Sequence, residues 1–180
     1  MRWLIRGVVV VLGLALVMVL IGLARPADHV ARTRAHYASP IELVWSSVSD
    51  VERWPEWNPE VSSVERLPDR PGRRVYNVVA SWGTAPTEIA IFEPPTRMRT
   101  EMDAGDFSGA WTYDLVLSSD GGTDLTITEE GSVQNPLFRA MMMFHDNHAT
   151  MIEYHRALGA RLGENVQPER VESETEALQP

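Results

Sequence analysis

The sequence predicts an α+β domain. A curved antiparallel sheet of about seven strands wraps around one long C-terminal helix, two short helices follow the first strand, and a separate apolar helix precedes the whole. Three observations carry this. Between Val61 and Gly131 apolar residues recur with a period of two, the mark of strands with one buried face. From Leu137 to Leu162 they recur at alternating spacings of four and three, the mark of a helix with one apolar stripe. Between the first strand and the rest of the sheet lies DVERWPEWNPEV, Asp50–Val61, with two Trp three residues apart and a Pro close behind each.

The first element is the run Gly7–Ala24, GVVVVLGLALVMVLIGLA, which Trp3, Leu4 and Ile5 extend beyond Arg6. About 20 apolar residues cross a bilayer core as a helix. Residues 3–24 are therefore expected to be a single-pass membrane anchor, joined by a polar linker, 25–29, to the domain. A cleaved signal peptide is the alternative, but its apolar region would span ~7–15 residues, and Arg25-Pro26 is a poor cleavage context. Arginines flank the run on both sides, which leaves open the side of the membrane on which the domain lies.

Val30–Ala38 alternates as a strand. Ser39-Pro40 is a helix start, and Ile41, Val44, Trp45 and Val48 share one face of the short helix that follows. A second short helix or elbow is expected between Pro55 and Pro59, with Trp54 and Trp57 plugging one end of the core. Strands follow at Val61–Leu67, Arg73–Trp82, Thr87–Phe92, Arg97–Asp103, Phe107–Leu117 and Thr123–Gly131, separated by Pro- and Gly-rich turns. Asp120-Gly121-Gly122 is a hairpin signal. Pro136 opens the long helix, whose inward stripe reads Leu137, Met141, Phe144, His148, Met151, His155, Leu158 and Leu162. Residues 163–180 are Glu-, Pro- and Ser-rich without periodicity, so they are expected to form an acidic disordered tail.

Composition narrows the function. The absence of Cys removes disulfides and thiolate chemistry. All basic residues are Arg, a bias expected of a GC-rich bacterial genome. The net charge is -9 and no basic stripe is present, so nucleic acid is not an expected partner.

These residues resemble those of the SRPBCC (START-like) superfamily, the helix-grip fold, and within it the bacterial polyketide cyclase/dehydrase and lipid transport type. The resemblance rests on Ala38-Ser39-Pro40 with Val44-Trp45 and Asp50, on Trp54-Pro55-Glu56-Trp57-Asn58-Pro59, on Val64-Glu65, on Gly121-Gly122-Thr123, and on the terminal helix. It covers residues 30–162. It implies a cavity for a hydrophobic ligand between sheet and helix, and it does not imply catalysis.

The candidate site follows from the inward faces. Trp57, Met98, Met102, Trp111, Tyr113, Glu129, Phe144, His148 and Met151 are expected to line a ligand cavity. His148 replaces an apolar residue on the stripe and needs a partner, for which Glu129 on the last strand is available. Glu129, His148 and Tyr113 are thus the candidates for acid–base work, if there is any. Two readings of His148 stay open, a satisfied core residue and a polar handle on a ligand. His145, His148 and His155 are not expected to bind one ion together, since His145 and His155 lie about 15 Å apart along a helix, and a His145/His148 pair would need a third ligand from the sheet. No metal or cofactor is expected. Three functions remain: a membrane-anchored binder of a hydrophobic small molecule or lipid, a cyclase or dehydratase using a Glu/His pair, and a protein-interaction domain with a collapsed core.

Overall fold

The computed structural model describes residues 2–81, 83–142, 146 and 148–171. Its elements run α1 (Arg2–Leu23), β1 (Asp28–Tyr37), α2 (Ile41–Ser49), a 3₁₀ helix (Val51–Glu56), β2 (Val61–Arg70), β3 (Arg73–Ala80), β4 (Gly83–Glu93), β5 (Arg97–Asp103), β6 (Phe107–Leu117), β7 (Thr123–Val133), α3 (Pro136–Met142), α4 (Ala149–Leu162) and β8 (Glu169–Arg170). The strands form one antiparallel sheet in the order β2-β3-β4-β5-β6-β7-β1-β8. Each hairpin places sequence neighbours side by side, and β1 closes against β7.

One face of the sheet is buried, as the period of two requires. Ala31, Thr33, Ala35 and Tyr37 of β1 meet Leu125 and Ile127 of β7, Tyr113 and Leu115 of β6, and Met98 of β5. Helix α4 covers this face with Met151, Tyr154, His155 and Leu158, all buried. A bulge between Ile89 and Ile91 shifts the alternation of β4 and brings Phe92 onto Trp45, 5.3 Å between ring centroids. The opposite face carries charge pairs, among them Arg97 Nε to Asp114 Oδ1 at 2.6 Å and Arg99 to Glu130 at 2.6 Å. This is the cross-strand pairing expected of an outer face.

Four expectations are corrected. The second short helix lies one turn earlier than predicted and contains Pro55, because Trp54 and Val51 bury themselves in it. The long C-terminal helix is broken into α3 and α4. Asp146 supplies the reason: its Oδ1 accepts the backbone N–H of His148 at 3.1 Å, a local turn that competes with helix continuation. Leu137 and Met141 on α3 are consequently exposed, while the stripe holds on α4.

The third correction concerns the tail. Residues 163–171 fold back on the domain. Gly163 takes a left-handed conformation that ends α4, and the Glu164 carboxylate accepts the Ala38 N–H at 2.8 Å and the Ser39 hydroxyl. Val166 is buried, and β8 adds an eighth strand beside β1. The remainder of the expected tail, residues 172–180, lies outside the described residues.

The fourth concerns residues 3–24. Among the described residues no helix is long and apolar enough to cross a membrane, so the single-pass anchor is not supported. Arg6 interrupts the run near its start, and the last turn of α1 docks on α3. Arg139 donates to the carbonyls of Gly22 at 3.2 Å and Arg25 at 2.9 Å. A Cβ at Gly22 would lie 1.7 Å from the Pro136 carbonyl oxygen, so only Gly permits this approach. Between Arg6 and the end of α1 at Leu23 the helix has fewer apolar residues than the about 20 that a span requires.

Candidate functional site

The inner face of the sheet holds a cluster of aromatic rings from β6, α4, the 3₁₀ helix and the turn that follows it. Tyr113 on β6 and Tyr154 on α4 lie 5.6 Å apart between ring centroids. Trp54, from the 3₁₀ helix, closes on both at 6.4 and 6.5 Å. Trp57 and Trp111 pack edge-on against Tyr154 at 5.1 and 5.8 Å. Trp54, Tyr113 and Tyr154 are buried, whereas Trp57 and Trp111 are half-buried.

The polar atoms of these rings differ in their fates. Trp54 Nε1–H donates to the Val48 carbonyl at 3.0 Å. Trp57 Nε1 and Tyr154 Oη are buried, and neither has a hydrogen-bond partner among the described residues. A buried polar group left unmet costs about 1–3 kcal/mol. Tyr113 lies beside Tyr154, close enough for each phenol to bear on the other's titration. Burial holds both hydroxyls well above the ordinary phenol range, and the Glu129 carboxylate pushes Tyr113 further up.

Glu129 stands at the edge of this cluster. It pairs in register with Trp111 across β6 and β7, and its side chain is 16% exposed. Its Oε1 lies 3.4 Å from Nε2 of His29, which is 23% exposed. His29 belongs to β1 and lies over Gly131: a Cβ there would come within 2.1 Å of the imidazole Cε1. The pair of Glu129 with His148 expected from the sequence is not formed. The break before α4 sets His148 at the helix N-terminus, where its Nδ1 lies 3.7 Å from Asp146 Oδ1. The structure therefore brings Glu129 and Tyr113 together and substitutes His29 for His148.

Of the other predicted lining residues, Met98 and Met151 are fully buried in the core, and Met102 is half-buried near the sheet's end. Phe144 lies outside the described residues. A second buried polar group was not singled out by the sequence reading. His155 is fully buried between Tyr37, with Oη 2.8 Å from Nδ1, and Thr33, with Oγ1 3.1 Å from Nε2. One ring nitrogen of a neutral imidazole donates and the other accepts, which matches two flanking hydroxyls. Burial pushes the imidazole down to about 4. This network lies within the core and meets the aromatic cluster at Tyr154, whose ring is 6.5 Å from that of His155.

A groove of about 950 Å³ is lined by His29, Val30, Met102, Arg99, Glu101 and Glu130. Part of its wall is charged, and there Arg99 bridges Glu101 at 3.1 Å and Glu130 at 2.6 Å. No group of three or more potential metal ligands converges among the described residues.

The family model described as polyketide cyclase / dehydrase and lipid transport matches residues 38–151. No curated protein matches the chain. Among solved structures, the Zhui aromatase/cyclase from Streptomyces sp. R1128 is 15% identical, with a TM-score of 0.62 over 73% of this chain and 91% of that one. A START superfamily protein from Mycobacterium smegmatis is 20% identical, with a TM-score of 0.57 over 75% and 97%. Truncated norcoclaurine synthase from Thalictrum flavum is 12% identical, with a TM-score of 0.61 over 75% and 93%. At such identities the likeness is one of fold, and it is the helix-grip fold.

Proposed function

The chain belongs to the polyketide cyclase / dehydrase and lipid transport family, and on that premise we propose that it binds a hydrophobic small molecule or lipid against the aromatic cluster of Trp57, Trp111, Tyr113 and Tyr154. The observation that carries this reading is the pair of unmet polar atoms, Trp57 Nε1 and Tyr154 Oη, in a cluster whose outer rings are half-buried. A core built only for packing meets its buried polar groups, as Trp54 does. Glu129 and His29 add a polar rim. Apolar walls with a few placed polar groups are the usual make-up of a small-molecule site.

Native mass spectrometry of the full chain, followed by organic extraction, tests the reading. A co-purifying apolar compound, displaced on replacing Trp111 with Ala, is the expected result. A ligand-free protein that binds none of a panel of polycyclic phenols and fatty acids at millimolar concentration points instead to an interaction domain with a collapsed core.

The contact of His29 with Glu129 at 3.4 Å favours a second reading, an enzyme of cyclase or dehydratase type. A carboxylate oriented by an imidazole beside a bound ligand is placed for proton transfer. Replacing Glu129 with Gln would then abolish turnover while leaving ligand affinity nearly intact. A binder shows the opposite insensitivity, having no turnover to lose.

A further inference from the structure

The groove of about 950 Å³ is floored by two neighbouring rows of the sheet. One row crosses four strands as Asp103, Ser108, Ser132 and Asp28, each in register with the next. The row beside it reads Glu88, Glu101, Ala110, Glu130 and Val30. Both rows line the groove, and they share the face of the Arg99–Glu130 pair. We propose that this groove binds a linear polyamine, an aliphatic chain with an ammonium group at each end and one between, laid across β5, β6, β7 and β1. This site is independent of the aromatic cluster.

The second row shows what the first lacks. Like charges directly opposite each other on neighbouring strands are destabilising, and Glu88 stands opposite Glu101. Arginines answer this. Arg73 lies 3.3 Å from Glu88 and 2.8 Å from Glu101. Arg99 reaches across the buried Ala110, 3.1 Å from Glu101 and 2.6 Å from Glu130. The first row has the same plan without the arginine. Asp103 and Asp28 stand at its two ends, both exposed, and neither has an ionic partner among the described residues. Asp103 Oδ1 accepts the Gly105 N–H at 2.8 Å, which leaves Oδ2.

The spacing selects the shape of the cation. Three strand spacings separate Asp103 from Asp28, about 14 Å between Cα atoms. One metal ion cannot touch both carboxylates, whereas a chain of methylenes with cationic ends joins them. The small side chains of Ser108 and Ser132 leave room for that chain, and their hydroxyls can accept from a nitrogen between the ends. Val30, exposed at the groove wall, offers the methylenes an apolar contact. The sign of the charge points the same way. Acids outnumber arginines along the lining, with Asp28, Glu88, Glu101, Asp103 and Glu130 against Arg70 and Arg99. The chain's own C-terminal residues, with Glu172, Glu174 and Glu176, have the wrong sign to occupy it.

Isothermal titration of the full-length protein with spermidine and with putrescine tests this, with amide NMR shifts to place the ligand. Spermidine should bind about 3-fold or more tighter than putrescine, which is too short to join the two ends. It should shift the Ser108 and Ser132 amides most, and its affinity should fall as salt rises. Asp103→Asn and Asp28→Asn should each weaken spermidine about 2- to 5-fold. Glu65→Gln, which alters an exposed acid on β2 outside the groove, should leave its affinity unchanged. An equal loss in all three variants means a diffuse counter-ion only and overturns the inference. Equal affinity for the two amines, or no binding of either, also overturns it. A tetra-arginine peptide that binds more tightly than spermidine and competes with it overturns it in favour of a protein partner. Each of these failures leaves the aromatic binding reading as it stands, since none of the variants alters that cluster.

Discussion

His155 Nδ1 lies 2.8 Å from the Tyr37 hydroxyl, deep in the core where α4 crosses β1. The imidazole is neutral in the fold because burial pushes its pKa down from 6.5 to about 4. The unfolded chain therefore binds a proton that the folded chain refuses between those two values. The stability contributed by the neutral ring is fully present above pH 6.5 and is lost as pH falls towards about 4. A shift of this size corresponds to on the order of 3 kcal/mol. Urea midpoints measured from pH 7.5 to 4.5 should fall steadily below 6.5 and flatten in a His155→Leu variant. Midpoints in the parent that stay level over this range would remove His155 as the cause. Asp120, Asp124 and Asp146 also have lowered values, but their stabilising effect is lost only at lower pH, below the ordinary carboxylate range.

Two buried tyrosines should respond with opposite signs when their hydroxyls are removed. Tyr37 Oη contacts His155 Nδ1 and donates to the His155 carbonyl at 3.2 Å. Tyr37→Phe leaves a buried ring nitrogen unmet and should cost about 1–3 kcal/mol. Tyr154 Oη has no partner among the described residues. Tyr154→Phe removes only an unmet polar group and should raise stability by roughly 1 kcal/mol in the ligand-free protein. Thermal melts of both variants decide this. A fall in Tm for Tyr154→Phe means that its hydroxyl has a partner in solution.

The strap after α4 supplies a third prediction. Val166 is buried on Gly159, whose added Cβ would lie 2.8 Å from Val166 Cγ2. Beyond it, the Val171 N–H donates to the Arg32 carbonyl at 2.9 Å, and Arg170 pairs with Asp146 at 2.5 Å. Val166→Ala removes two buried methyl groups and should cost about 1.5 kcal/mol. Hydrogen exchange at the Val171 amide should rise with it, since the packed valine holds the segment on the edge of β1. Unchanged exchange would show that Arg170 and Asp146 hold the strap without it.

The fold was legible because its cues are local and repeated. The alternation of β5, β6 and β7 and the stripe of Met151, His155 and Leu158 recur in the structure with the expected faces inward. The errors arose where one residue overrides a pattern. The periodicity from Leu137 to Leu162 is continuous, yet Asp146 bonds to the backbone of His148 and splits the helix. The segment 163–171 has no periodicity, but one valine over a helix glycine and one glutamate on Ala38 and Ser39 suffice to dock it. Trp111, Tyr113 and Glu129 stand at the register positions that strand parity indicates, and their meeting a ligand is the proposal above. His29 was assigned to a linker because strand β1 starts two residues earlier than the apolar alternation indicates. Thr33 and Tyr37 share the inward parity of that strand, and the signal that marks them is the need of His155 for two hydroxyl partners.

Gly131 controls the rim of the site through His29. The imidazole lies on the sheet where this residue has no side chain, and an added Cβ would fall 2.1 Å from Cε1 and 2.6 Å from Nε2. The backbone of Gly131 lies within β7, where Ala is an acceptable strand residue, so the conflict is with the ring alone. Gly131→Ala should therefore turn His29 away from Glu129 without unfolding the sheet. The pair is partly exposed, so its loss changes stability by less than about 1 kcal/mol. The ligand response should be larger in kind: a hydroxyl-bearing probe loses a fixed carboxylate, while an apolar probe gains a methyl wall. Imidazole resonances of His29 and binding of 5,6,7,8-tetrahydro-2-naphthol and tetralin, measured on the same variant, check both halves. An unmoved His29 resonance would mean that the ring already leaves Gly131 in solution.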